Sequence, residues 1–252
     1  MGISAKTNDL EAMMTAVIIP AYNEQDSIGR VVAAIPSWVK AVIVVDNGST
    51  DATAELARQA GATVIREPRR GYGRACLAGC RAVGAAPIVV FLDGDLSDYP
   101  ERMEHLVRPM AEDRSDFVLG SRTQGSCQRG ALQPQQRLGG WLACRLIRLL
   151  WGYRYSDLGP FRAIRGASLA RLRMDDQNFG WTVQMQIRAV VAGLRIMEVP
   201  VDYRRRIGHS KISGTLRGVL GAGFKILYTI GHELIIARRR VVRAAVPPAE
   251  AA

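Results

Sequence analysis

An α/β domain with a mainly parallel sheet packed between helices is what this 252-residue sequence predicts, and three observations carry the prediction. The early apolar runs are short, β-branched and unbroken by polar residues, as strands covered on both faces must be. They alternate with segments of helical spacing, the pattern of βαβ units. The composition, 48% hydrophobic and 23% charged, is that of an ordinary folded domain and excludes disordered, collagenous and coiled-coil chains. At this length about 70–75% of the unfolded surface can be buried, so folding needs no disulfide or structural metal.

Residues 1–14 carry Lys6, Asp9 and Glu11 and no apolar core, so they read as a disordered N-terminus and not as a signal peptide. Gly2 lacks the Ser or Thr at position 6 that myristoylation requires. Residues 15–20 (TAVIIP) form the first strand, ended by its proline, and 27–34 follow with helical spacing. Residues 41–46 (AVIVVD) form the second strand. Asp51 caps a helix over 52–60, because its carboxylate accepts orphan N–H groups of the first turn. A third strand at 62–66, a helix over 73–82 and a fourth strand at 87–92 (PIVVFL) complete the regular part. Beyond residue 100 the pattern loosens, with a helix over 100–110, a strand at 117–120 entering Ser121-Arg122 and another at 197–203. Residues 137–152 read as an amphipathic helix, with Leu138, Trp141, Leu142, Leu146, Leu149 and Leu150 recurring every three or four residues and Arg145 and Arg148 off that stripe. The division that follows is a catalytic domain over 15–215, a basic amphipathic helical region over 216–243 and a frayed tail over 244–252.

The formal net charge is +11, which calls for an anionic partner: nucleic acid, phosphates or an acidic membrane face. Residues 195–243 hold eleven Lys/Arg against Glu198, Asp202 and Glu233, so most of the surplus is C-terminal. Aromatic residues at 6% and the lack of a stacking motif argue against nucleic acid. The apolar stretch 219–237 is interrupted by Lys225, His232, Glu233 and three glycines, so it is too broken for a spanning helix of about 20 apolar residues. An apolar helix over 216–236 followed by Arg238, Arg239, Arg240 and Arg243 has the pattern of an interfacial anchor. Packing on the domain or in a homodimer interface is the alternative. The expected location is cytoplasmic, peripheral on the cytoplasmic membrane face. Cys76, Cys80, Cys127 and Cys144 form no C-x-x-C and no secreted disulfide framework, and read as unreactive thiols.

In parallel sheets, ligands bind beyond the carboxyl ends of the strands. All four early strand ends are marked: Pro20-Ala21-Tyr22-Asn23-Glu24, Asp46-Asn47-Gly48-Ser49, Arg69-Arg70-Gly71-Tyr72-Gly73 and Asp93-Gly94-Asp95. Asp93 and Asp95, with a glycine between them, can converge on one point. Oxygen ligands on a short loop suit Mg²⁺ or Mn²⁺ and leave coordination positions for phosphates. Asp46 can accept hydrogen bonds from a base N–H, and Gly71 and Gly73 permit close backbone approach. Neither a G-x-G-x-x-G after the first strand nor a G-x-x-x-x-G-K-[ST] is present, which argues against dinucleotide enzymes and excludes P-loop NTPases.

The motifs VIIPAYNEQDSI, VVDNGSTDAT, GYGRA, FLDGDLSDYPE, LGSR, DLGPFRAIR and EVPVDYRRRIGHSKI, in that order from residue 17 to about 212, resemble the family 2 glycosyltransferases of the GT-A fold, close to the dolichol/polyprenyl-phosphate sugar synthases. The resemblance implies metal-dependent inverting transfer of a sugar from a UDP- or GDP-sugar to a polyprenyl phosphate. It implies that Pro20, Tyr22, Glu24, Asp46 and Gly71 hold the nucleotide. Asp93 and Asp95 become the D-x-D pair that binds Mg²⁺ or Mn²⁺ and, through it, the diphosphate. Arg122, Arg137, Arg206, Ser210 and Lys211 face the diphosphate and the acceptor phosphate. There are three departures: Asn47 replaces a second aspartate, Gly139-Gly140 stand where relatives offer a serine, and Gln184 stands where an acidic residue is expected. A phosphate acceptor, already anionic because its second pKa is about 6, needs no protein base. A hydroxyl acceptor needs one, and Asp157 is then the nearest candidate by motif. The competing readings are the same donor chemistry on a soluble hydroxyl acceptor, a nucleotidyltransferase, which would want a glycine-rich loop where PAYNE stands, and a non-catalytic sugar-nucleotide or nucleic-acid binder.

Overall fold

The computed structural model describes residue 10, residues 13–208 and the helix 216–245, whose side chains are described for residue 221 and for 223–236. Seven strands form one sheet: β1 (Thr15–Ala21), β2 (Ala41–Asp46), β3 (Thr63–Arg66), β4 (Ile88–Phe91), β5 (Phe117–Ser121), β6 (Arg162–Arg165) and β7 (Ile196–Pro200). Their spatial order is β3-β2-β1-β4-β6-β5-β7. All run in one direction except β6, which is antiparallel to both β4 and β5. The helices are α1 (Ile28–Ala33), α2 (Thr53–Gln59), α3 (Tyr72–Ala82), α4 (Glu104–Ala111), α5 (Pro134–Trp151), α6 (Gly166–Leu172), α7 (Trp181–Val191) and α8 (Leu216–Ala245).

The central strands are buried on both faces because βαβ crossovers place helices there. On one face Ile18, Val45 and Phe91 meet Ala75 and Cys76 of α3, Ile147 of α5 and Trp181 of α7. On the other, Val17, Ile19 and Val90 meet Ile28 and Val31 of α1 and Leu106 and Val107 of α4. Leu10 and Met13, within the expected N-terminal tail, pack on this second core; residues 1–9, 11 and 12 lie outside the described residues. Helix α8 continues to residue 245, and residues 246–252 lie outside the description. The four cysteines are free thiols, with Cys76 and Cys144 buried.

Helix α5 departs from its sequence pattern. It begins at Pro134 and buries Ala143, Cys144 and Ile147, the small side of the helix. Leu146 and Leu150 of the stripe pack partly on the first core, but its other large residues point outward: Leu138 is 66%, Trp141 57% and Leu149 79% exposed. Helix α8 packs beside it and exposes Phe224, Leu227, Tyr228 and Ile235. Among the described residues no helix is long and apolar enough to cross a membrane.

The strand order reverses between β1 and β4, so their carboxyl ends diverge into a crevice where a ligand can sit. The marked strand ends of the sequence all open there.

Candidate active site

Beyond β1 and β4 lies a cleft of about 350 Å³. Pro20, Tyr22 and Glu24 from the β1 end, Asn47 after β2, Arg70 and Gly71 before α3, and Asp93 and Asp95 after β4 line it. Arg70 stacks on the Tyr22 ring, with its guanidinium carbon 3.1 Å from the ring centroid. Asp46 stands behind this wall: it is buried and its Oδ1 accepts the Ser49 N–H (2.9 Å), closing the turn. The residue on the cleft at this strand end is therefore Asn47. Its Nδ2 donates to the Arg69 carbonyl (2.8 Å) and its Oδ1 accepts the Gly71 N–H (2.8 Å), so the amide fixes the loop that forms the cleft's floor. An aspartate could accept from Gly71 but could not donate to Arg69.

Gly71 has φ +144, and a Cβ there would lie 2.2 Å from the Gln177 carbonyl oxygen; one on Gly73 would lie 2.0 Å from the Asp176 oxygen. The glycines let the segment 174–180 dock on the start of α3, where the Arg74 N–H donates to the Gln177 carbonyl. That segment carries Phe179 into the cleft.

Asp95 is buried, and its Oδ1 accepts from the Ser97 N–H (2.9 Å) and the Ser97 hydroxyl (2.6 Å). Leu96, next in the chain, has φ +60, an uncommon conformation for a branched side chain that holds the turn open. Arg206 reaches across from the chain after β7. Its Nη2 lies 3.0 Å from Glu24 Oε1 and 3.3 Å from Asp95 Oδ2. Asp93 accepts from the Tyr72 hydroxyl (3.2 Å). Burial and the neighbouring Asp95 charge push the Asp93 carboxyl up to about 6. Asp98, three residues after Asp95, is buried with both oxygens unpartnered among the described residues, and burial with the Asp93 and Asp95 charges raises its carboxyl well above the usual range. This concentration of negative charge fits a divalent cation at Asp93 and Asp95, which would reverse the penalty on ionising both. Among the described residues no cluster of three or more His, Cys, Asp or Glu could hold a metal. A two-carboxylate site of this kind leaves the remaining coordination to phosphate oxygens.

Asp93, Asp95, Tyr72, Phe179 and Arg206 also form the wall of a second cleft, of about 290 Å³. Its far side is Arg122 and Tyr203 together with Gly139 and Gly140 of α5 and Gly223 of α8. Arg122 is clamped by Asp157 through two bonds, Nε–Oδ2 (2.7 Å) and Nη2–Oδ1 (2.8 Å). Asp157 also accepts the Arg122 and Leu158 backbone N–H groups. Burial alone would raise the Asp157 carboxyl, but the Arg122 charge and these bonds hold it below the usual carboxylate range. So saturated and acidified, Asp157 is a poor proton acceptor; it orients Arg122, and the sequence-based role of base does not fit it. Arg162, which the sequence did not single out, is fully buried and donates to the Gly159 and Thr182 carbonyls, fixing the 158–160 segment that lines this cleft.

Gln184 lines neither of these clefts. It is buried in α7, accepts the Asp175 and Asp176 N–H groups and donates to Asp175 Oδ1 (2.7 Å) and Glu233 Oε1 (2.9 Å). Its position supplies no base. Arg137 lies on α5 in a third cavity, beside Arg122. Ser210 and Lys211 lie outside the described residues. Tyr72 and Phe179 were missed as site residues. Tyr72 was visible inside GYGRA, whereas Phe179 reaches the cleft only through the docking of 174–180 on Gly71 and Gly73.

The family model described as "Glycosyl transferase family 2" matches residues 16–171. An uncharacterized glycosyltransferase of Mycobacterium tuberculosis is 37% identical over 204 residues, covering 80% of this chain and 91% of that protein. A dolichyl-phosphate hexose transferase of Haloferax volcanii is 36% identical over 202 residues, covering 78% and 86%. Among solved structures, glucosyl-3-phosphoglycerate synthase from Mycobacterium tuberculosis in complex with Mn²⁺, uridine diphosphate and glucosyl-3-phosphoglycerate superposes with a TM-score of 0.71 at 21% identity, over 99% of this chain and 86% of that one. The fold is the GT-A arrangement implied by the sequence motifs.

Proposed function

The chain belongs to glycosyl transferase family 2, and on that premise we propose that it transfers a sugar, with inversion, from a nucleoside diphosphate sugar to a polyprenyl phosphate at a membrane surface. The observation that carries the reading is the wall of carboxylates shared by two clefts, with a cationic side chain on each side of it. Tyr22, Arg70, Asn47 and Gly71 offer a pocket of nucleoside size. Asp93 and Asp95 would hold Mg²⁺ or Mn²⁺, which supplies charge neutralisation for the leaving diphosphate. Arg206, tied to Glu24 and Asp95, stands where negative charge would develop on that diphosphate. Arg122, immobilised by Asp157, faces the acceptor side as a fixed guanidinium fork suited to a phosphate.

The engagement of the carboxylates supports a phosphate acceptor. The carboxylates lining them are Glu24, Asp93 and Asp95, each with a partner, and Asp157 is consumed by Arg122. A hydroxyl acceptor would need one of these carboxylates as its base, whereas a phosphate oxygen arrives ionised. The dolichyl-phosphate hexose transferase of Haloferax volcanii supports a lipid phosphate, and the Mn²⁺ and uridine diphosphate of the synthase complex support the metal and the donor class. The outward apolar residues of α5 and α8 support docking on a membrane face, because adjoining exposed apolar side chains of this size mark a binding surface.

The test is transfer from labelled UDP- and GDP-sugars, with Mg²⁺ or Mn²⁺, to undecaprenyl or dolichyl phosphate. Label in the organic phase, lost with EDTA, is the expected result. Nucleotide release that depends on a soluble acceptor, with no organic-phase label, would overturn the lipid acceptor.

A further inference from the structure

The third cavity, about 550 Å³, opens off the acceptor side of the site, sharing Arg122, Gln136 and Gly140 with the second cleft. Five arginines line it: Arg122, Arg137, Arg145, Arg148 and Arg154. Its one carboxylate, Asp157, is already saturated by Arg122. Arg137, Arg145 and Arg148 project from one side of α5, and Arg154 follows the helix's glycine C-cap. Among the described residues none of these four makes an ion pair; Arg145 rests over the Trp141 ring, 5.5 Å from its centroid.

Arg145, Arg148 and Arg154 are exposed, so solvent screens their repulsion, but five arginines around one concavity raise a positive potential that draws an anion. The helix dipole offsets this for Arg148, in the last turn of α5, but not for Arg137 in the first. A single acceptor phosphate held by Arg122 would leave the others without an anionic partner. We propose that Arg145, Arg148 and Arg154 form a second anion site, separate from the donor cleft, which takes a phosphate group borne by a molecule other than the sugar donor. Arginine forks suit phosphate oxygens, and an organic phosphate would bring the missing counter-charge. The ligand is a phosphate ester from one of two sources: the headgroup of an anionic phospholipid at the membrane face, or a free phosphorylated metabolite. The site extends the proposed acceptor reading, but its binding test is independent of it.

The experiment uses the full chain with two probes, glycerol 1-phosphate in solution and phosphatidylcholine vesicles containing phosphatidylglycerol. The variants are R145Q/R148Q and a charge-matched control, R58Q/R81Q, at exposed positions outside the cavity. Nucleotide binding is followed in parallel. At least about a tenfold loss of affinity for one probe in R145Q/R148Q, with the control and nucleotide binding unchanged, is expected. Loss confined to vesicles assigns a lipid headgroup, and loss confined to glycerol phosphate assigns a soluble ligand. Equal loss in the control, or no loss for either probe, overturns the site. Failure of sugar transfer to lipid, with this binding intact, would count against the acceptor and not against the site.

Discussion

Asp93 and Asp95 were legible as a pair because a strand end in a parallel sheet can only point into the crevice. Their electrostatics needed the fold, which packs them against buried Asp98, with Arg206 and, more weakly, Arg122 as the opposing charges on Asp93. The Asp93 carboxyl, raised from 3.8 to about 6, makes the metal-free protein bind a proton more tightly folded than unfolded. Stability is then lost as pH rises from about 4 through 6. In EDTA, Asp93→Asn should remove that loss, giving a gain on the order of 1–3 kcal/mol at pH 7.5 and none below pH 4, read by urea unfolding. The sign reverses with Mn²⁺ present, when only the wild-type chain is stabilised. Asp95→Ala should abolish metal-dependent transfer, and full activity in EDTA would remove the metal assignment. For Asp157 stability and chemistry part company. Asp157→Asn leaves the buried Arg122 without its counter-charge and should cost about 3–5 kcal/mol. An Asp157→Asn protein of wild-type stability but without activity would restore Asp157 as a base.

At the scale of elements, the first half of the chain reads cleanly because each strand is an uninterrupted apolar run between helical segments. The second half does not. β6 is four residues long with arginine at both ends, and α6 follows it with no linker, so no run or turn marks either. β7 is an edge strand, only half-buried, and its pattern is correspondingly weak. The α5 stripe misleads in part, because a helix that packs through Ala143, Cys144 and Ile147, with Leu146 and Leu150 at their flank, leaves Leu138, Trp141, Leu142 and Leu149 for another surface. Gln184 shows the same limit: its departure from an expected acid reads as a missing base, yet the side chain ties 174–180 to α7 and α8. Gln184→Glu should therefore restore no chemistry. It places a carboxylate against Glu233 and Asp175 and replaces a donor with an acceptor. A loss of about 1–3 kcal/mol by thermal or urea unfolding is expected, with transfer no faster than wild type. A faster enzyme would return this position to the reaction.

Taken as a whole, the molecule sets three cavities in series: the cleft beyond β1 and β4, the second cleft across the carboxylate wall, and the arginine cavity, the last two bordered by α5. Helix α8 closes the assembly and is not a detachable anchor. Glu233, buried, pairs with Arg188 (2.7 Å), and Lys225 pairs with Asp176 (2.9 Å), so the helix is bolted to the segment that carries Phe179. Deleting 216–252 would expose this network and disturb the site, so loss of membrane binding after truncation says little. Point changes on the outward face separate the two effects. Leu138→Asp with Leu142→Asp on α5, and Phe224→Asp with Leu227→Asp on α8, alter exposed side chains and leave Glu233 and Lys225 in place. Combined, these four changes should release the protein from acidic vesicles in co-sedimentation, because each charge opposes burial in the interface. Melting temperature should hold, as should transfer to a short-chain polyprenyl phosphate in detergent. Unchanged vesicle binding would remove α5 and α8 from the membrane face. A wild-type dimer that the same variant converts to monomer, with vesicle binding intact, would make this face a contact between two copies of the chain.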